Sequence, residues 1–375
     1  MTRSDIQPEE SAWDLQSRLL HGVSRTFALT IPQLPVELRN AVGNGYLLCR
    51  IADTIEDDPG IDCDQKFLFY QEFLDVLNKR ADAHEFSQHL GTSLSDAMLP
   101  AEHELVLQTP AIVDLTHSLP EIQQEALIHC TQIMCGGMSE FQSSKSLDGL
   151  DSIEQMYWYC YVVAGVVGEM LTELFCDHME LSAKQKETML DLGVCFGLGL
   201  QMTNILKDVW EDREDGSCWL PREIFGEHGN DLGQIIRLRQ SDRLSDGIEE
   251  LVAIAHDNLD AAVRYTCLIP KKQVGVRRFC LWAIGMALLT LQNIYRNPGY
   301  EHSADVKISR RRVKAVILSS NSVVYSNRLT RAWFDLASLG LPTAATQHAC
   351  DPEQVRTLAA NNSRQLGARH TGDVV

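Results

Sequence analysis

The chain has 375 residues, 45% of them hydrophobic, enough for a substantial core in one large domain or two ordinary ones. Its formal charge of −18 excludes nucleic acid as a partner, because phosphate backbones select basic surfaces, yet leaves small phosphorylated substrates open, since metal ions invert the local charge. Eleven cysteines without a C-x-x-C pair read as reduced intracellular thiols rather than a disulfide frame or a zinc site.

The opening MTRSDIQPEESAW is polar and lacks the apolar core of a signal peptide. From there the hydrophobic spacing predicts helices over roughly 11–29, 36–57, 64–79, 121–143, 152–177, 183–213, 233–267, 271–296 and 308–338. Prolines at 35, 110 and 120 stand before or between these segments as breakers. No run of short alternating segments separated by turn pairs predicts a sheet. The longest apolar run, FCLWAIGMALLTL, falls well short of the ~20 residues of a membrane span. No Gly/Ser linker or composition shift divides the chain, so residues 1–344 read as one all-α domain. Residues 345–375, polar and aperiodic, read as a disordered tail. The expected protein is soluble and cytoplasmic, or at most attached to a membrane surface.

The chemistry is announced by a repeated pattern. DTIEDD begins at Asp53 and DVWED at Asp208, each a D-x-x-E-D with a basic residue, Arg50 or Lys207, just before it. On a helix Asp53 and Asp57 share one face, and Arg50 and Tyr46 extend it backwards. From Asp212, the residues Asp208, Asn204, Gln201 and Gly197 line up in the same way. Gln201 and Asn204 interrupt the apolar LGVCFGLGLQMTNIL, and buried amides need partners, so the stripe is expected to line a cavity.

One such motif is usually a solvated helix face. Two, each prolonged into a polar face within apolar sequence, favour a carboxylate box across a cavity mouth. Hard oxygen donors without His or Cys fit Mg²⁺, which keeps waters and bridges to substrate phosphates. Arg50 and Lys207 then hold the same phosphate group, and the implied chemistry is metal-assisted departure of diphosphate. No P-loop and no dinucleotide-binding glycine fingerprint is present. The glycines of GVCFGLGL and AGVVGEM serve close helix packing or make room for a substrate chain. The histidines, among them His21, His129 and His178, show no ligand spacing, and no Ser/His/Asp signature is visible.

SRTFALTIPQLP, LRNAVGNGYLLCRIADTIEDD, YCYVVAGVVGEMLTELF, QMTNILKDVWEDREDGSCWLP, FCLWAIGMALLTL and ADVKIS together resemble the squalene and phytoene synthases, from about Ser24 to about Arg310. The last two segments are similar to the squalene synthase branch. The resemblance implies an all-helical isoprenoid synthase fold. It also implies head-to-head joining of two farnesyl diphosphates through presqualene diphosphate, then reduction by NADPH to squalene. It implies that Asp53, Glu56, Asp57, Asn204, Asp208 and Asp212 hold Mg²⁺, and that Arg25, Arg50, Lys207 and Lys307 bind diphosphate or cofactor phosphates. Tyr159 is implied to assist proton removal in the first half-reaction. Ser24, Phe27, Tyr46, Arg50, Gln201 and Phe279 are implied to line the substrate site, and Trp282 is a further candidate π-face.

Two departures from the family pattern concern the cofactor. Ser217 stands where a basic residue is common, with Arg213 as a candidate substitute, and Ser309 stands where a second basic residue is usual, with Arg310 beside it. The eukaryotic membrane anchor is not found, which points to a bacterial-type member. Two alternatives stay open. One is a relative ending at presqualene diphosphate, hydroxysqualene, dehydrosqualene or phytoene; the other is a non-catalytic interaction module of the same fold. Oligomeric state is not legible.

Overall fold

The computed structural model describes residues 10–24, 26–225, 232, 242–344 and 349–371, of which 242–243 and 362–371 are described by backbone alone. Among them the structure is all helix and connecting turn, with no strand beyond one isolated bridge between Leu150 and Pro221. It divides into two compact units, Met1–Thr131 and Gln132–Val375, where the sequence reads as one domain. The boundary falls inside the helix Glu121–Ser143, so no linker could have announced it.

The first unit contains α1 (Ala12–Val23), α2 (Val36–Asp57), α3 (Cys63–Leu77), α4 (Ala83–Ser93), α5 (Pro100–Leu107), α6 (Thr109–Ser118) and the start of α7 (Glu121–Ser143). The helix expected over 11–29 breaks because Ser24 is extended and its hydroxyl accepts the Phe27 N–H at 3.0 Å, restarting a short turn at Phe27–Thr30. Helices α4, α5 and α6 were not expected. They are short, and Pro100 and Pro110 lie in the first turns of α5 and α6, where a missing N–H costs nothing. Reading Pro110 as a breaker therefore hid a helix start.

Helix α2 forms the centre of this unit. Leu38, Leu47, Leu48, Ile51, Ala52 and Ile55 are fully buried. Between them lies buried Asn44, which donates to the Ile112 carbonyl at 3.0 Å and accepts from Thr116 Oγ1 at 2.7 Å. Those bonds satisfy the amide and fix the rotation of α2 against α6, which sets where its polar face points.

The second unit contains α8 (Ile153–Cys160), a π turn (Tyr161–Gly165), α9 (Val166–His178), α10 (Ala183–Glu214), α11 (Asp242–Leu268) and α12 (Val274–Arg296). They are followed by α13 (Arg310–Val323), α14 (Asn327–Ala337) and α15 (Pro352–Thr371). The expected helix from 233 is seen from Asp242, and 233–241 lies outside the described residues, as does Arg25. Helix α15 occupies most of the segment expected to be disordered. Its Val355 and Ala359 are buried, and Arg356 pairs with Glu169 on α9 at 2.5 Å and Asp191 on α10 at 2.7 Å.

Helix α10 is the axis of the second unit and packs on α9, α11 and α12. A Cβ on Gly168 would stand 2.0 Å from the Gly193 carbonyl oxygen, and one on Gly197 would stand 2.2 Å from that of Ala164. The glycines of GVCFGLGL and AGVVGEM therefore serve backbone contact between helices. Three helical spans, Ile153–His178, Ala183–Glu214 and Val274–Arg296, are long and apolar enough to cross a membrane, and 61–72% of their most apolar windows is buried inside the fold. Helical continuity assembles apolar length that no single uninterrupted run displays.

Candidate active site

In the first unit the site residues lie on α2. Arg50 reaches Asp53 at 3.4 Å and Asp57 at 3.7 Å, and a third partner, Glu102 on α5, pairs closely with its Nη2. Burial works against the Arg50 charge, but Asp53, Glu102 and Asp57 outweigh it and hold the guanidinium firmly protonated. Its buried Nε has no partner. Asp53 keeps a third of its side chain open to solvent, and burial, only partly offset by Arg50, pushes its carboxyl up to about 7. Asp58, beside the motif, is structural: it is fully buried and accepts from the N–H groups of Gly60 and Ser95 and from the Ser95 hydroxyl.

The same helix carries Tyr46, whose ring lies 5.1 Å from that of Phe27 and whose hydroxyl donates to the Val23 carbonyl at 3.4 Å. Ser24, Phe27, Tyr46, Arg50, Asp53, Glu56 and Asp57 thus belong to one neighbourhood of the first unit. Glu102 was missed, because it lies in a stretch without a readable helix and precedes no motif.

In the second unit the site residues lie at the end of α10. Lys207 Nζ stands 2.8 Å from Asp208. Burial raises the Asp208 carboxyl, Lys207 and Lys307 oppose that rise, and neighbouring Glu211 adds to it. Asp212 is pushed up to about 7 by burial first and then by Asp208, Asp215 and Glu211, against weak relief from Lys145. Glu211 is turned elsewhere: its carboxylate accepts the Ser303 N–H at 2.8 Å. Gln201 is half-buried and Asn204 exposed, so this stripe faces accessible space rather than holding sealed amides that need partners.

Two segments close on this helix end. Tyr300 is buried and its hydroxyl donates to the Leu206 carbonyl. Asn293 donates to the carbonyls of Val306 at 2.8 Å and Lys307 at 3.4 Å, which brings Lys307 into the field of Asp208. The loop after the motif is zipped to residues 146–150 by Cys218 N–H to Ser146 O at 2.9 Å, Leu150 N–H to Leu220 O at 2.9 Å and Arg222 N–H to Leu150 O at 2.8 Å. Arg213 donates to the Leu147 carbonyl at 2.9 Å, and Ser217 is buried with its N–H on Asp212 O. Arg213 is thus tied to the loop by one of its guanidinium nitrogens.

The zipped loop delivers Trp219 onto Tyr159. The two rings stack with centroids 4.0 Å apart and planes 7° from parallel, and Phe141 meets Tyr159 edge-on at 5.0 Å. Phe279, by contrast, sits in the interior of α12, 6.1 Å from Phe175 and edge-on to it, and Trp282 donates to Asn321 Oδ1 at 3.3 Å.

Among the described residues no three His, Cys, Asp or Glu side chains already converge as a finished metal centre. The donor chemistry nonetheless fits magnesium. Each motif offers oxygen donors alone and raised, crowded carboxyls, and Mg²⁺ takes one or two carboxylates while keeping waters and phosphate oxygens for its other positions.

The family model for squalene/phytoene synthase matches residues 20–312. The chain is 30% identical over 323 residues to a squalene synthase of Cyberlindnera jadinii, covering 84% of this chain and 69% of that one. It is 31% identical over 310 residues to squalene synthase ERG9 of Candida albicans, covering 81% and 66%. It thus spans about two thirds of the length of these curated relatives. Among solved structures, TcSQS with the ligand E5700 superposes with a TM-score of 0.68 at 22% identity, covering 96% of this chain and 99% of that one. A dehydrosqualene synthase superposes with a TM-score of 0.61 at 19% identity, covering 84% and 96%. The fold is the all-α isoprenoid synthase fold, and with most of the chain matched the protein belongs to the squalene/phytoene synthase family.

Proposed function

We propose that the protein is a farnesyl-diphosphate farnesyltransferase that joins two farnesyl diphosphates head to head into presqualene diphosphate and reduces this to squalene with NADPH. The carrying observation is the pair of D-x-x-E-D helix ends, each with a cation bound to its own acids, in a chain 30% identical to a squalene synthase over 84% of its length. Magnesium held by Asp53, Glu56 and Asp57 and by Asn204, Asp208 and Asp212 would supply the positive charge that lets diphosphate depart. Arg50 and Lys207 exchange their present carboxylate partners for diphosphate oxygens.

Tyr159 takes up the proton lost when the cyclopropane closes. Trp219 and Phe141 hold its ring in place and cover it against water, which a carbocation would capture. Phe27 and Tyr46 offer further π-faces to a developing cation, as does Phe279 if its ring turns out of the α12 packing. Lys307, with Arg25, takes the phosphates of NADPH. The reading is supported by Lys307 lying within the field of Asp208 while Arg213 is tied to the loop.

The test is product analysis with farnesyl diphosphate and Mg²⁺, with and without NADPH. Squalene with the reductant and presqualene diphosphate without it is the expected result. The same products in both cases would assign the protein to a relative that does not reduce.

A further inference from the structure

From Val306 to Phe334 the chain carries seven basic residues and no acidic one, although its net charge is −18. Two of the seven are engaged by side-chain partners, Arg312 on Asn293 and Gln292 and Arg331 on Asp260 and Asp335, and Lys307 lies within the field of Asp208. Arg310, Arg311, Lys314 and Arg328 have no ion-pair partner among the described residues.

This segment and the residues that follow it to Leu339, past Asp335, expose apolar side chains. Leu318 is 77% exposed, Leu336 69%, Leu339 66%, Tyr325 57% and Leu329 54%. Leu68, an exposed leucine of the first unit, stands singly between Asp64 and Glu72.

The helical spacing gathers these residues. On α13 the exposed positions Arg311, Lys314, Ala315, Leu318 and Ser322 follow steps of three and four and form one stripe. On α14 exposed Leu329, Ala332 and Leu336 share a flank, with Arg328 beside them. Both helices rest on α12 and are pinned to each other by Trp333 Nε1 donating to Ser319 Oγ at 3.0 Å. Their outward faces therefore adjoin, each carrying basic and apolar side chains together.

We infer that the α13–α14 face is a docking surface for an anionic lipid bilayer. The occupant follows from charge and shape. Four unpaired cations in an acidic protein match an anionic headgroup layer, and separate projecting leucines suit insertion among acyl chains better than a packed protein interface. At 14 and 11 residues the two helices are too short to span, so the protein lies on the membrane. The inference rests on the proposed function in one respect: the hydrocarbon product would partition into a membrane.

The test is co-sedimentation of the full chain with phosphatidylcholine vesicles, with and without phosphatidylglycerol, at low and high salt. Strong binding is expected only with the anionic lipid and should weaken with salt. The variants Arg311→Glu/Lys314→Glu and Leu318→Asp/Leu336→Asp should each reduce partitioning by about tenfold or more. Turnover of farnesyl diphosphate in detergent micelles should stay unchanged, since none of these residues belongs to the site. Equal binding to neutral and anionic vesicles, no binding, or variants that bind like the wild type would overturn the proposal. So would loss of self-association in the variants without vesicle binding, which would assign the face to a second copy. Micellar turnover reads the enzyme independently, so failure of one reading is separable from failure of the other.

Discussion

Tyr159 lies flat on Trp219, 4.0 Å away, a residue sixty positions along the chain that reaches it only because the loop after the second acidic motif is zipped to residues 146–150. Tyr159→Phe retains this stack and should lower the melting temperature less than loss of the Trp219 ring does, while presqualene diphosphate formation falls about a hundredfold or more, the scale of a lost proton-transfer group. Trp219→Ala should lower both, since it opens a cavity against the Tyr159 ring. Thermal melts alongside single-turnover assays separate the two effects. A Tyr159→Phe enzyme that forms the intermediate at the normal rate would reduce the residue to packing.

Asp53 and Asp208 are held as carboxyls that resist ionisation because burial disfavours their charge. Asp53→Asn and Asp208→Asn should each cut turnover by orders of magnitude while stability holds or rises, because the variants no longer bury a charge. In the wild type Mg²⁺ should raise the melting temperature by binding the folded state, chelation should reverse the rise, and each variant should show a smaller one. Near-normal turnover in either variant would rule out the magnesium assignment.

Lys307 is held within the field of Asp208 by the Asn293 side chain, which donates to the backbone carbonyls of Val306 and Lys307. Lys307→Ala should lower squalene output and let presqualene diphosphate accumulate, with partial recovery at high NADPH. Titration of the reductant against product ratio checks it. An unchanged ratio at every NADPH concentration would remove Lys307 from the cofactor site.

Gly168→Ala drives a methyl group against the Gly193 carbonyl and should cost about 1–3 kcal/mol or more by overpacking. Gly136→Ala, in the middle of α7 with nothing within 4 Å of the added carbon, is the contrasting case. It should gain about 0.5–1 kcal/mol from helix propensity. Urea unfolding midpoints of the two variants should move in opposite directions.

The acidic motifs and the long helices were legible because the helical repeat writes a face into sequence, and α2, α7 and α10 begin and end close to where that repeat predicts. Helices α4 to α6 were not, since each has only two or three turns and proline opens two of them. Glu102, which lies on one of those helices, and Trp219 escaped for a further reason. Their partners, Arg50 and Tyr159, lie far away in sequence, and only tertiary packing brings the pairs together. The exposed Asn204 shows the same limit from the other side: an apolar neighbourhood in sequence does not establish burial in space. The tail read as disordered from its polarity contains a helix held by Arg356, whose acidic partners are more than 150 residues away.

The π turn at Tyr161–Gly165 works as an indexing device. One surplus residue in a helical turn swings everything beyond it by about 100°. The segment carrying Tyr159 and the segment carrying Gly168 and Glu169 therefore keep separate angular settings within one rod, braced across the turn by Tyr161 donating to Glu169 at 2.9 Å. Removing a single residue from 161–165 would leave Tyr159 facing Trp219 but rotate Gly168 away from Gly193 and Glu169 away from Arg356. The length of those five residues is thus more constrained than their identity, and the chain can tolerate a substitution there more readily than a deletion.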